Sequence, residues 1–352
     1  MKLVFECTVP NYQYFLGVPQ EGCGDILNRQ MRLAAAICWC LPLLSVAWCD
    51  DIVNIVPRSR GVAAKVSEEY PHADLRVDVP LVLIPVHVTT QAGTSVLGLK
   101  KESFRLLEDN VEQKIVHFSN EDVPLSIGLL FDASGSMENK IKKSWEAAAE
   151  FFKTANSDDE FFLVQFSDRP KLLVPFTQDA DEVYNRIARV KPFGRTALLD
   201  AIGLGLSEMK KARYWRKAMV ILSDGGDNRS RYSRGEIKNA LLESDVQLYA
   251  MGIFDLDPAH KQPAEERNGP VLLNELTDDT GGRHIAVAKL EDLPAVCARI
   301  GKELRDQYIL GYYPTNETRD GKHRSVKVSV TPPDDMPKLK ASYRRGYQAP
   351  NQ

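Results

Sequence analysis

Oxygen-bearing side chains stand at alternate positions where an apolar run of the chain ends. The segment Asp132–Ser136 (DASGS) follows the apolar run Leu125–Phe131. It places one carboxylate and two hydroxyls so that all three oxygens can point to one side of a tight loop. Hard divalent cations such as Mg²⁺ prefer oxygen ligands of this kind. Taken alone, the pattern also fits ordinary turn and helix-capping residues, which are often Asp and Ser.

Two later segments have the same character and favour the metal interpretation. Thr196 lies in Phe193–Leu198 (FGRTAL), between a turn and a helical pattern. Asp224 follows the apolar run Val220–Leu222 and stands at a glycine-rich turn. In an open α/β sheet, such turns converge at the carboxyl ends of the strands, near the point where the strand order reverses. We therefore expect the three segments to lie together.

In this order and spacing, the three segments resemble the von Willebrand factor type A domain with its metal-ion-dependent adhesion site. The flanks resemble a narrower group, the secreted bacterial proteins described as VWFA-related. The similarity there lies in Gly98–Ile115 (GL…F…LEDN…QKI) and in the tail that begins at Tyr308–Pro314. The resemblance implies that one Mg²⁺ or Mn²⁺ is bound by five residues, namely Asp132, Ser134, Ser136, Thr196 and Asp224.

The resemblance also implies a function. A cation held by hydroxyls and a few acids keeps an open coordination position, which a partner's carboxylate can fill. The chain would then be an adhesion or scaffolding module that binds a protein presenting an acidic side chain, and not an enzyme. Asp200 and Asp227 are candidates for supporting the ligands, although each could equally be a surface acid. Asp227 could also help to host a second metal ion.

The alternative function is a Mg²⁺-assisted hydrolase of phosphate esters. The sequence around Ser134 and Ser136 contains no G-x-S-x-G elbow, and the six histidines are scattered away from the three segments. No HExxH, CxxC or GxxxxGK[ST] motif is present, so the sequence lacks the motifs of zinc hydrolases and NTPases. Protein binding is therefore the favoured interpretation.

Apolar strand patterns alternate with amphipathic helix patterns between residues 125 and 304. This alternation predicts a doubly wound, mostly parallel α/β sheet with strand order 3-2-1-4-5-6 for a domain at residues 123–304. The short turn Asp168–Pro170 predicts one antiparallel hairpin at an edge. The strands are expected at Leu125–Phe131, Phe161–Phe166, Leu172–Phe176, Met219–Leu222, Val246–Ile253 and His284–Val287. The helices are expected at Lys140–Thr154, Asp181–Val190, Ala197–Lys211, Gly235–Glu243 and Asp292–Leu304.

Segments with a β pattern flank this domain at residues 75–122 and 305–348. The first has about three or four strands, too few to close a sandwich comfortably. We expect the strands of both segments to join in one small β-sandwich, with the α/β domain inserted between them. Separate N- and C-terminal β appendages are the alternative.

Composition excludes some functional classes. The 352 residues are 43% hydrophobic and 26% charged, as in ordinary globular proteins. A net charge of −3 gives no electrostatic argument for binding nucleic acid or an anionic membrane. Five of the six cysteines lie in the first 49 residues, which excludes a disulfide framework for the folded part.

The N-terminal region has the pattern of an export signal. Residues 31–49 combine a charged start at Met31-Arg32, an apolar core of about 16 residues and a small-residue cleavage site at Ser45–Ala47. The core is shorter than the roughly 20 residues that span a bilayer. Lipid attachment at Cys49 and an uncleaved anchor are the alternatives to simple export. Residues 1–30 are then an extension or a mis-assigned start, and residues 50–74 are a linker.

Export gives a first testable prediction. The mature protein is expected to begin near Trp48 or Asp50 and to reside in the periplasm, the cell envelope or the medium. N-terminal sequencing of protein isolated from the native envelope fraction checks it. An intact Met1 or Met31 on that protein would contradict cleavage.

Overall fold

A computed structural model describes residues 81–254, 264–333 and 336–351, all within one compact unit at Asp74–Gln352. The expected extension at 1–30, export signal at 31–49 and linker at 50–74 lie outside the described residues. Within the described ranges, no helix has both the length and the apolar character that crossing a bilayer requires.

The described residues form fourteen strands and six α-helices. The strands are β1 (Val82–Thr89), β2 (Phe104–Glu108), β3 (Val111–Gln113), β4 (Ile115–Ser119), β5 (Ser126–Asp132), β6 (Glu160–Phe166), β7 (Lys171–Thr177), β8 (Lys217–Ser223), β9 (Val246–Ile253), β10 (His284–Val287), β11 (Gln307–Tyr312), β12 (His323–Val330), β13 (Lys340–Tyr343) and β14 (Gly346–Gln348). The helices are α1 (Ile141–Phe152), α2 (Ala180–Ile187), α3 (Leu198–Met209), α4 (Arg234–Glu243), α5 (Ala264–Thr277) and α6 (Leu293–Arg305).

A six-stranded sheet in the order β10-β9-β8-β5-β6-β7 occupies the centre of the α/β domain. If β5 to β10 are numbered 1 to 6 and the sheet is read from the β7 edge, this is the expected order 3-2-1-4-5-6. Every pairing is parallel except that of the edge strand β7, which returns antiparallel to β6. The order reverses between β5 and β8, so the carboxyl ends of these two strands form the topological switch point.

Helices cover both faces of this sheet, as its buried strands require. β5 and β9 are buried along their whole length, because each has apolar neighbours on both sides. Helices α1, α2 and α6 close one core and α3, α4 and α5 close the other. The doubly wound fold expected from the alternation is confirmed.

Helix α5 is absent from the sequence-based prediction. Gly269 and Pro270 stand in its middle, and both residues ordinarily argue against a helix interior. Leu272, Leu273 and Leu276 are nevertheless buried in the core under α3 and α4. Tertiary packing of this apolar face therefore outweighs the local preference against a helix.

The flanking segments form two four-stranded sheets, in the orders β13-β1-β11-β4 and β14-β12-β2-β3. Each sheet mixes strands from before and after the α/β domain: β1 pairs with β11, and β2 pairs with β12. The two sheets share one apolar core. The α/β domain is therefore inserted into a β-sandwich, and separate appendages are excluded.

His87 lies on β1 where the sandwich meets the α/β domain. It is buried, with its Nε2 atom 3.0 Å from the Ser95 hydroxyl and its Nδ1 atom 3.9 Å from a carboxylate oxygen of Glu303 on α6. Burial, and secondarily the positive charge of Arg283, lowers the pKa of His87 from 6.5 to about 4. The junction therefore holds a neutral histidine near neutral pH.

Replacing His87 with Gln is expected to remove part of the destabilisation that acid causes. The unfolded chain takes up a proton at a higher pH than the folded one, so stability present above pH 6.5 is lost as the pH falls toward about 4. The loss should amount to about 3 kcal/mol. Urea unfolding across this range measures it, with the exposed His323→Gln as control. An equal loss in wild type and His87→Gln would contradict the assignment.

Candidate metal centre

The DASGS segment (loop 1, Asp132–Ser136) leaves the end of β5 with its carboxylate fixed. Asp132 is completely buried. One of its carboxylate oxygens accepts a hydrogen bond from the Ser134 backbone N–H (2.8 Å), and the other accepts one from the Ser223 hydroxyl at the end of β8 (2.5 Å). Asp132, the first expected ligand, thus links the ends of β5 and β8 at the switch point.

The two serines of loop 1 lie side by side. Their hydroxyl oxygens are 3.1 Å apart, as the alternate spacing predicted. Between them, the Gly135 N–H donates to the Gly194 carbonyl (3.0 Å). A side chain at Gly135 would bring its Cβ within 3.3 Å of that carbonyl. The close contact fixes loop 1 against the segment that carries Thr196.

That second segment (loop 2, Phe193–Ala197) is held from both sides. The Phe193 N–H donates to the Ala133 carbonyl (2.8 Å), and the Arg195 N–H donates to the Asp168 carboxylate (2.9 Å). Gly194 has φ +75°, a conformation that residues with a side chain rarely adopt. Loop 2 therefore depends on its glycine and on the turn that joins β6 to β7.

Thr196 is buried and attached to the third segment (loop 3, Asp224–Asn228). Its N–H donates to the side-chain oxygen of Asn228 (3.0 Å), and its carbonyl accepts from the Asn228 and Arg229 N–H groups (3.0 and 3.1 Å). Hydrogen bonds thus join loop 1 to loop 2 and loop 2 to loop 3. The structure brings together the three loops that carry the five expected ligands.

Loop 3 is positioned by helix α5. Asp224 is buried, and its carboxylate accepts from the Gly226 N–H (3.3 Å). Gly225, at φ +76°, packs backbone to backbone against Gly269. A Cβ on Gly269 would lie 2.5 Å from the Asp224 carbonyl oxygen. Gly269, which locally disfavours helix α5, therefore permits the close approach of α5 to loop 3 that positions Asp224.

Ionisation of the buried Asp132 carboxylate is costly. The pKa of Asp132 rises from 3.8 to about 7, mainly because the group is buried and secondarily because Asp224 is negatively charged. Hydrogen bonds from Ser223 and Ser134 offset part of this rise. A cation placed between the carboxylates would reverse the effect, since opposite charge favours the ionised form.

Lys140 is a component of the site that the sequence analysis treated only as the start of a helix. Its ammonium lies 3.3 Å from a carboxylate oxygen of Asp224, and both side chains are almost fully buried. A lysine four residues beyond Ser136 was visible in the sequence. Its ion pair was not, because Asp224 is far away along the chain.

Asp200 and Asp227 position the chain around the ligands. The Asp227 carboxylate accepts from the Leu198 N–H at the start of α3 (3.0 Å) and from the Ser230 hydroxyl (2.6 Å). The Asp200 carboxylate accepts from the N–H groups of Arg231 and Tyr232 (2.8 and 3.0 Å). Among the hydrogen bonds of the described residues, none joins either acid to one of the five expected ligands.

The donor set fits a hard divalent cation. It comprises two buried carboxylates and three hydroxyls on adjoining loops, which are the oxygen donors that Mg²⁺ and Mn²⁺ prefer. Within the part of the chain that the structure describes, no group of three or more His, Cys, Asp or Glu side chains could hold a metal ion. An ion here would therefore depend on hydroxyl and water ligands as well as on Asp132 and Asp224.

Comparison with known families agrees with the fold. The family model for the von Willebrand factor type A domain matches residues 127–226, from β5 into loop 3. This part of the chain therefore resembles a von Willebrand factor type A domain in its sequence. The match includes all five expected ligands.

Known proteins resemble the chain at low identity. An uncharacterized protein of Synechocystis is 24% identical over 186 residues, covering 51% of this chain and 42% of its own. One from Borreliella burgdorferi is 24% identical over 202 residues, covering 50% and 57%. This chain thus spans about half the length of these curated relatives.

Some solved structures also resemble the chain at low identity. A von Willebrand factor type A protein from Catenulispora acidiphila has 10% identity and a TM-score of 0.45, covering 77% of this chain and 72% of its own. The vWF domain of the type V pili tip protein Mfa5 from Porphyromonas gingivalis has 14% identity and a TM-score of 0.41, covering 51% and 95%.

The raised pKa of Asp132 predicts how the metal-free protein responds to pH. A folded pKa of about 7 against 3.8 in the unfolded chain means that stability present at low pH is lost as the pH rises through about 7. The loss should reach up to about 4 kcal/mol. Asp132→Asn removes it, whereas the exposed Asp181→Asn does not. Urea unfolding in EDTA measures this, and an identical pH profile for wild type and Asp132→Asn would contradict it.

Proposed function

We propose that this protein is a metal-dependent protein-binding module of the adhesion or scaffolding type. One observation carries the proposal: Asp132 and Asp224, two buried carboxylates, meet hydroxyl-bearing loops at the switch point of the sheet. Buried charges of one sign need compensation. A divalent cation gives more of it than the single ammonium of Lys140.

Each expected ligand has a distinct part in holding Mg²⁺ or Mn²⁺. Asp132 supplies negative charge, and its hydrogen bonds to Ser134 and Ser223 keep its orientation fixed. Ser134, Ser136 and Thr196 supply neutral hydroxyls, and Asp224 supplies the second charge. A cation with so few anionic ligands would bind a partner's carboxylate strongly, because the contact is charge-assisted.

The surface around the site supports an acidic partner. Three exposed side chains lie near Thr196 in the chain or in the fold: Phe193, Arg195 and Arg229. The first two are in loop 2, and Arg229 directly follows Asn228, the loop 3 residue that is hydrogen-bonded to Thr196. Backbone hydrogen bonds tie Phe193 to loop 1 and Arg229 to Thr196. Two cationic side chains and an exposed aromatic ring are thus carried on or beside the loops of the proposed site, which suits an acidic segment with an apolar neighbour.

The proposed function is not enzymatic. A phosphate-ester hydrolase that used a histidine as its general acid or base would need that histidine close to the metal. Among the described histidines, His87 contacts Ser95 and His284 contacts Asn274, and neither partner belongs to the three loops. The favoured function therefore requires only that the site bind a ligand.

We also propose that the protein is exported. The support is the signal-like segment at residues 31–49. Membrane contact would come only through a lipid on Cys49 or through an uncleaved anchor. Net charge gives no reason to invoke nucleic acid as a partner.

Metal titration tests the proposal. Asp132→Ala is expected to weaken binding of Mg²⁺ and Mn²⁺ by about tenfold or more, as a lost charged contact of about 1.5–3 kcal/mol predicts. Thr196→Ala, which removes a neutral hydroxyl, is expected to weaken binding by less. Calorimetric titration measures this, with the exposed Asp181→Ala as a matched control that should bind as wild type does. The fold should survive, which circular dichroism checks.

The outcomes separate the functions. Equal metal binding by wild type, Asp132→Ala and Thr196→Ala would discard the site. Metal binding accompanied by turnover of a phosphate ester would favour the hydrolase instead. Retention of a partner from envelope extract that EDTA and Asp132→Ala both abolish would support the binding module.

A further inference from the structure

The ion pair between Lys140 and Asp224 places a positive charge inside the proposed metal site. The Lys140 ammonium is 3.3 Å from the Asp224 carboxylate, with side-chain exposures of 10% and 2%. Among the ion pairs of the described residues, it is the one that involves Asp132 or Asp224. We propose that Lys140 is the site's own cation: it compensates Asp224 when no metal is bound, and a divalent cation must displace it. This inference rests on the proposed metal site.

Hydrogen bonds fix the backbone around Lys140, whereas the ion pair with Asp224 holds only the end of its side chain. The Lys140 N–H donates to the Met137 carbonyl (2.9 Å), and the Lys140 carbonyl accepts from the N–H and hydroxyl of Ser144 (3.0 and 3.1 Å). The ammonium is at the end of a flexible four-carbon chain. It can therefore leave Asp224 by rotation of its own bonds, without a shift of α1.

Charge determines the direction of the effect. A divalent ion bound by Asp224 would lie within a few ångström of an undisplaced ammonium, and like charges repel strongly where water is excluded. Lys140 therefore competes with the metal and weakens its binding. It also sets a threshold, because a monovalent cation offers Asp224 no more charge than the ammonium already does. The site should accept Mg²⁺ or Mn²⁺ and reject Na⁺ and K⁺.

The opposite role for Lys140 is equally concrete. If the ammonium served to hold Asp224 in the orientation that binds metal, its removal would weaken metal binding. The two roles predict changes of opposite sign, so a single affinity measurement separates them.

The experiment compares Lys140→Met with Lys143→Met. Methionine replaces the four-carbon stem of lysine with an uncharged chain of similar length. Lys143 lies on helix α1, which begins just after Lys140, and it is paired with Glu146 and 37% exposed. Calorimetric titration with Mg²⁺ should show binding at least about tenfold tighter in Lys140→Met, since an adjacent charge is lost. Its midpoint of thermal unfolding in EDTA should fall below that of wild type. Lys143→Met should change neither.

A second measurement uses the wild-type chain. Amine-directed labelling read by mass spectrometry should modify Lys140 several-fold faster in Mg²⁺ than in EDTA, because displacement exposes the ammonium. The labelling of Lys143 should be the same in both conditions.

The possible failures are distinguishable. Unchanged or weaker Mg²⁺ binding by Lys140→Met, alongside loss of binding in Asp132→Ala, would overturn the role of Lys140 alone. Equal protection of Lys140 in EDTA and Mg²⁺ would overturn its displacement. No Mg²⁺ binding by any variant would overturn both this inference and the proposed function.

Discussion

Two carboxylates buried side by side are the constraint around which this domain is arranged. Asp132 ends β5 and Asp224 directly follows β8, so the parallel pairing of these two strands at the switch point brings the two acids together. Burial in such proximity is costly for like charges. The hydrogen bonds of Ser134 and Ser223 and the ammonium of Lys140 offset part of that cost. Backbone hydrogen bonds hold the loops around these acids together.

The sequence predicted most of the fold because the dominant patterns are local. Continuous apolar runs separated by amphipathic segments specify a parallel sheet covered on both faces, and the short turn before Pro170 specifies the antiparallel edge. The joining of the two flanking segments in one sandwich was also predicted, since the first segment alone has too few strands to close one. The pattern that predicts each strand or helix lies within that strand or helix. The sandwich is predicted by counting the strands in each flanking segment.

The features that the sequence did not predict depend on contacts between residues that are distant along the chain. Helix α5 contains Gly269 and Pro270, which oppose it locally, and it forms because its leucines fill a core and Gly269 admits loop 3. The pairing of Lys140 with Asp224 joins residues 84 positions apart. The roles of Asp200 and Asp227 likewise depend on the path of the chain after loop 3. The family resemblance supplied the expected ligands, and only the folded chain shows which residues surround them.

The insertion of the α/β domain into the sandwich has a mechanical consequence. The chain enters the domain after β4 and leaves it before β11, and these two strands are hydrogen-bonded neighbours, with Ser119 opposite Ile309. Arg305 at the end of α6 also bonds to Asp122 on the way in (3.1 Å). Both attachments are thus at one pole, opposite the carboxyl edge that carries the loops. Tension applied along the polypeptide passes through the paired strands of the sandwich and bypasses the inserted sheet. A pull on a ligand held at the loops instead loads both attachments together and in the same direction.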